Sequence, residues 1–202
     1  MAELARRIDQ DFAERIAAQP GFVSYEFIDC GLGEFMTMSV FLTLEQAEAS
    51  RELARAWAEE NRDALEFPRL HAVHGEIHVG RVAEHMLEET HVGDPRKSVA
   101  IRRYGVQAGT VEDLMRRIDT VFADRFQAMD GFEAWHVFDC GGGEILWIAF
   151  VRDHAAAEEC DDRTFRFVTE ELRDFNLERR MALRGELIVS RARTELLEPA
   201  HA

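Results

Sequence analysis

His136 and Trp147 lie on two apolar segments joined by a Gly-rich connection, and they are the pair in this 202-residue chain best suited to chemistry. An imidazole titrates near neutrality and can take a proton from an acidic phenol, while an indole face stacks on a flat ring. Arg102 offers preorganised positive charge to a developing oxyanion or enolate, and Tyr104 offers a hydroxyl to a substrate oxygen. The expected catalytic set is therefore His136, Arg102 and Tyr104, with Trp147, Glu26 and His78 binding substrate and no metal. Each residue also has a plainer explanation. His136 can be a core histidine beside an aromatic, Arg102 half of an ion pair, and Tyr104 a rim-closing side chain.

Other clusters carry less. Five of the eight histidines fall between His71 and His91. His74 and His78, four apart on a strand, would stand roughly 13 Å from each other, too far to share one ion. Three cysteines without a C-x-x-C spacing suit reduced thiols in a cytoplasmic protein better than a disulfide framework. Cys30 and Cys140 fall in matching turns, where a small residue fits twice. Gly141-Gly142-Gly143 does not open a helix after a strand, so it is no phosphate loop. Trp57 reads as core on an Ala-rich helix, and Glu45, Glu48, Glu52, Glu59 and Glu60 read as a solvated face.

Strands must position the candidates, because residues two apart share a face. One face would carry Ser24, Glu26, Thr37 and Ser39 in the first half, and Ala134, His136, Trp147 and Ala149 in the second. The more apolar face, Met36, Met38, Val40, Leu146, Ile148 and Phe150, would pack beneath helices, leaving the polar face as pocket wall. Glu76 with His78, Glu186, and Arg102 with Tyr104 would point toward the same pocket.

Those elements occur twice. Residues 3–81 align with 113–191 at a constant offset of 110 without a gap, with about 25 of some 80 positions identical. Leu4-Ala-Arg-Arg-Ile-Asp9 answers Leu114-Met-Arg-Arg-Ile-Asp119, and Asp29-Cys30-Gly31 with Gly33-Glu34 answers Asp139-Cys140-Gly141 with Gly143-Glu144. Each copy predicts a helix with apolar residues four apart (Leu4, Ile8, Phe12, Ile16; Leu114, Ile118, Phe122, Phe126), then a hairpin over Phe22–Ile28 and Phe35–Leu42. Thr43 with Gln46 forms a capping box for a second helix reaching about Leu65, and Thr110 with Asp113 caps the first helix of the second copy. Closing strands follow at Glu76–Arg81 and Glu186–Arg191. The second copy adds a leading strand, Ser98–Tyr104, giving β-α-β-β-α-β. The first copy has none, so Ala83–Lys97, Thr194–Ala202 or upstream residues would have to supply it. The expected organisation is two ferredoxin-like α+β repeats, 1–92 and 93–202, the first lacking its leading strand.

Charge narrows the partners. The net charge of −15 divides into about −10 for residues 1–92 and about −5 for residues 93–202, which disfavours nucleic acid and anionic membranes as binding surfaces. No window approaches the 18 apolar residues of a membrane span, and no secretion signal is read at the start.

The run Pro20-Gly-Phe-Val-Ser-Tyr-Glu-Phe-Ile-Asp-Cys-Gly-Leu-Gly-Glu34, followed by an apolar strand and an Ala/Glu-rich helix, resembles the antibiotic-biosynthesis-monooxygenase-like members of the dimeric α+β barrel superfamily. The resemblance covers nearly the whole chain, twice. It implies an α+β barrel built as an intrachain pseudo-dimer, with a homodimer possible, and a small-molecule ligand. The implied activity is cofactor-independent oxidation of a flat aromatic or polyketide-like molecule; the alternative is a non-catalytic barrel that binds a small ligand or haem, or an assembly module. Haem-degrading members use an Asn on the first strand with a Trp and a His near the second helix. That triad does not carry over, since Ser98–Tyr104 has no Asn, and Trp57 and His154 fall in different copies.

Overall fold

The computed structural model describes residues 2–63, 72–83 and 97–193. Seven antiparallel strands run in the order β2-β1-β7-β4-β6-β5-β3, with β1 Phe22–Gly31, β2 Glu34–Phe41, β3 Glu76–Val82, β4 Ser98–Val106, β5 Phe132–Asp139, β6 Glu144–Val151 and β7 Leu177–Ala192. The helices are α1 Ala2–Arg7, α2 Ala13–Ala17, α3 Leu44–Glu60, α4 Val111–Ile118, α5 Asp124–Gln127 and α6 His154–Glu170. A π turn joins α1 to α2 (Ile8–Phe12) and another joins α4 to α5 (Asp119–Ala123). Among the described residues no helix is long and apolar enough to cross a membrane.

The chain divides into two compact units. Unit 1 comprises residues 1–74 with 187–200, and unit 2 comprises 75–186 with 201–202. β3 therefore lies in the unit that holds residues 97–186, and residues 187–192 of β7 lie in the unit that holds residues 2–63. In unit 2, β3 pairs with β5 (Gly80↔His136, Arg81↔Trp135). In unit 1, the end of β7 runs beside β1, and Arg193 N–H donates to Val23 O at 2.9 Å. The equivalent bond in unit 2 is Ala83 N–H to Glu133 O at 2.7 Å. Matching ion pairs fasten both strands: Arg81 to Asp119 at 2.8 Å and Asp124 at 3.7 Å, and Arg191 to Asp9 at 2.7 Å and Glu14 at 3.4 Å. These partners are related by the 110-residue offset of the sequence.

Local signals behave as the residue types dictate. Thr43 Oγ1 accepts from Gln46 N–H while Gln46 Oε1 accepts from Thr43 N–H, closing the capping box of α3. Thr110 caps α4 by accepting from Asp113 N–H at 3.1 Å. The helix opened by Thr43 stops at Glu60 rather than near Leu65, where Asn61 turns back to donate to Trp57 O at 2.9 Å. Of the segments considered as a substitute leading strand, residues 84–96 and 194–202 lie outside the described residues, as do His71, His85 and His91.

Each unit has its own core on the helix-covered side of its strands. In unit 1, Leu4, Ile8, Phe12 and Ile16 pack on Tyr25, Phe27 and Trp57. In unit 2, Leu114, Ile118, Phe122 and Phe126 pack on Trp135, Val137, Trp147 and Ala149, with Cys160 and Phe167 from α6. The other strand face is also buried. It carries Ser24, Glu26, Ile28, Met38 and Val40 in unit 1, and Val99, Ile101, Ala134, His136, Phe138, Ile148 and Phe150 in unit 2.

The face assignment read from sequence is thereby corrected. His136 stands opposite Ile148, and Trp147 opposite Val137, so His136 and Trp147 lie on opposite faces. In unit 1, Glu26 likewise faces Met38, and Thr37 faces Phe27. The hairpin connections fix the register one residue away from the alignment that would place His136 beside Trp147. Bulges after Phe22 and Phe132 add a further shift. A slip of one residue moves every side chain to the other face.

Candidate functional site

The helix-covered face of unit 2 gathers the polar groups that are hardest to explain as core. Alternation on β4 places Ala100, Arg102 and Tyr104 together, and the register sets Arg102 opposite Trp147 and Tyr104 opposite Ile145. Trp135 reaches the same face from β5, its ring centroid 4.7 Å from that of Trp147. Helix α6 lies above and contributes Cys160, Thr164 and Phe167 at helical spacing, all buried.

Arg102 is 6 % exposed, and its charge is met by the Asp161 carboxylate of α6. The second oxygen of that carboxylate accepts from Arg184 Nε at 2.7 Å, so Asp161 bridges a buried and a half-exposed guanidinium. A buried arginine costs several kcal/mol of desolvation unless it is paired in this way. Burial pushes the Cys160 thiol above its ordinary pKa, while Arg102 and Thr164 act in the opposite direction. Burial also raises the Tyr104 phenol, with Arg102 and Arg179 opposing. The indole N–H groups of Trp135 and Trp147 have no acceptor among the described residues, although both side chains are fully buried. More than nine in ten buried polar groups find a partner, so two orphan donors in one core beside a buried cation are out of the ordinary.

Of the six residues singled out from sequence, the structure brings together Arg102, Tyr104 and Trp147. His136 lies across the sheet, 5 % exposed, its ring centroid 6.1 Å from each of Phe138 and Phe150. Glu26 occupies the corresponding strand face of unit 1, where burial raises its carboxyl to about 8 against a hydrogen bond from Ser24. His78 does not join the cluster: it sits at the irregularity between Ile77 and Val79, half exposed, with Nε2 3.9 Å from Glu76. Arg102 and Tyr104 thus face the helices together with Trp147, away from His136. Sequence reasoning missed Trp135, Cys160, Asp161 and Thr164. A period-four reading of α6 against the register of β4 could have found the last three.

No protein-family model matches the sequence, and no curated protein sequence does. Solved structures do match. A Fusobacterium nucleatum subsp. nucleatum ATCC 25586 protein described as a candidate monooxygenase superposes with a TM-score of 0.68 at 7 % identity, over 95 % of this chain and 88 % of that one. An anthrone oxidase-like protein superposes with a TM-score of 0.55 at 11 % identity over the same shares. The fold is therefore α+β and is shared with these two solved structures, as the sequence resemblance implies.

Proposed function

We propose that unit 2 binds a flat, ionisable aromatic molecule beneath α6 and oxidises it with dioxygen, without a bound cofactor. The observation that carries this reading is the buried Arg102, paired across the strands with Trp147, on a face that also holds two indole N–H groups lacking acceptors among the described residues. Such a face suits an anionic, oxygen-bearing ring: indoles to stack and donate, and a guanidinium to hold negative charge. Arg102 favours the phenolate form of the ligand, whose proton leaves to solvent as it enters. The phenolate passes one electron to dioxygen, the radical pair joins at a ring carbon, and loss of water leaves a carbonyl. Two hydrogens leave that carbon, and one oxygen atom enters the product while the other leaves as water. The protein's part is to orient, stabilise the anion and exclude water. A base role for His136 would need a ligand on its own face of the sheet.

In this reading the chain is a cytoplasmic tandem duplication, 1–92 and 93–202, whose copies exchange closing strands and of which the second carries the site. The close packing of Phe122 on Phe167, 4.1 Å apart and nearly parallel, favours a second reading: a non-catalytic module with a filled core. Oxygen uptake with anthrone as probe separates the two. Catalysis predicts one quinone formed per dioxygen consumed, with Arg102→Leu slower by about 100-fold, the scale of one lost charge-stabilising group. An unchanged rate over the protein-free reaction, with wild type and variant alike, rejects it.

A further inference from the structure

We propose that the outer edge of β2 is a docking site for an extended, basic segment of a partner polypeptide, which pairs antiparallel with Glu34–Phe41 as β4 pairs with β6. The first support is topological. β2 ends the strand order, with β1 as its one strand neighbour, so its outward N–H and C=O groups have no ladder partner among the described residues. At the 110-residue offset, β6 has β5 on one side and β4 on the other, in register from Ser98↔Val151 to Gly105↔Glu144. The closing strands show the same difference. β7 runs for 16 residues and β3 for 7. β4 pairs with β7 over Leu177 to Glu186, which includes the whole of that extra length. Ala72–Gly75, the described counterpart of its end, is not strand.

The second support is charge. Glu144 accepts from Arg103 Nε of β4 at 2.9 Å. Its counterpart Glu34, at the exposed start of β2, has no ion pair or side-chain hydrogen bond among the described residues. An incoming strand with Arg or Lys at the position of Arg103 would answer it. A second copy of β2 would not, because Glu34–Phe41 contains no cation.

The third support is what the edge lacks. Sheet edges are commonly blunted with Lys, Pro or inward charges, and Glu34-Phe-Met-Thr-Met-Ser-Val-Phe41 has none of these beyond its first residue. Thr37 is exposed where its counterpart Trp147, packed on Phe122, Phe126 and Trp135, is fully buried. Alternating apolar side chains on the incoming strand would cover Phe35 and Thr37 on one side and Met36 and Met38 on the other.

The nine-residue peptide Ser98–Val106, SVAIRRYGV, added to the full 202-residue protein, is the probe. Saturable binding is expected, with amide exchange over Phe35–Phe41 slowed at least tenfold. A peptide with Gln at the Arg103 position, or the Glu34→Gln protein, should bind about threefold more weakly, as for an exposed ion pair. A scrambled peptide should give no protection. The proposal fails if the outward amides of β2 are already protected without peptide, since the chain then covers its own edge. It also fails if protection rises with protein concentration alone alongside a dimer in sedimentation, or if the peptide slows exchange in β6 instead.

Discussion

In unit 1 the Trp57 indole donates to Asp11 Oδ2 at 2.7 Å, whereas in unit 2 two buried indoles, Trp135 and Trp147, have no acceptor among the described residues. The positions correspond. Trp57 is matched by Phe167, Asp11 by Val121, Trp135 by Tyr25 and Trp147 by Thr37. Unit 1 has orphans of its own, the Tyr25 hydroxyl and, on the opposite strand face, Glu26 Oε2, but no buried cation among its described residues. One scaffold has therefore resolved its core in two ways. Unit 1 satisfies its large polar ring locally, while unit 2 accumulates a guanidinium, a thiol and two donors under α6. Stability alone favours the first arrangement, because orphan donors cost free energy. The second is the arrangement that the proposed aromatic ligand would satisfy.

The sharpest way to break that contrast is Trp147→Thr, which gives unit 2 the residue of unit 1. If Trp147 is core, the loss should be about 3–4 kcal/mol in urea unfolding, as for other large-to-small changes. A loss below about 1 kcal/mol would mean that the space is only loosely filled, which suits a ligand site. Next in size is a pH effect confined to unit 1. The Glu26 carboxyl, raised to about 8 by burial, is protonated in the folded chain where the unfolded chain is ionised. Its contribution is fully present below the ordinary Glu range near 4.5 and is lost as pH rises through about 8. Melting between pH 5 and 9 should show a decline on the order of 2–4 kcal/mol, and Glu26→Gln should flatten it. An unchanged slope would place the titrating group elsewhere.

Trp57→Phe runs the exchange in the other direction, giving unit 1 the residue that unit 2 uses. Asp11 would keep its bond from Arg15 at 2.7 Å, so no carboxylate is stranded. The expected loss is about 1–2 kcal/mol, from one hydrogen bond and a little volume. A larger loss would show that unit 1 depends on that bond more than on its packing.

Much of this was legible in the residues. The Thr43 and Thr110 caps and the order of strands and helices over residues 98–192 rest on local chemistry, and the structure places those elements where the sequence does. What was not legible was register. Whether His136 faces Trp147 or Ile148 turns on one residue in a Gly-rich connection, and no local propensity decides it. Arg102, Tyr104 and Trp147 were selected for their chemistry and do converge, but through pairing across β4 and β6 rather than by the expected alternation. Asp161 and Cys160 were invisible because a charged residue in a Glu/Asp-rich helix reads as solvated until the strand beneath it is known. The ion pairs that fasten β3 and the end of β7 were equally hidden, since Arg81 and Arg191 look like ordinary surface residues until each is seen bonded to Asp119 and Asp9.

The smallest test concerns the turn between β1 and β2, where the two copies again differ at one position. Leu32 is held at φ 53°, in the left-handed region, with its side chain wholly exposed. The counterpart Gly142 has φ 62°, between Gly141 and Gly143 at 76° and 80°. A side chain in that conformation costs about 1 kcal/mol, part of which glycine returns through the extra freedom of the unfolded chain. Leu32→Gly removes no packing, so a net gain of about 0.5 kcal/mol is expected, seen as a rise of about 1–2 °C in Tm. A fall in Tm would mean that the leucine makes contacts on the protein in solution. An unchanged Tm together with weaker capture of the Ser98–Val106 peptide would instead place Leu32 at the open edge of β2 as part of what a partner strand touches.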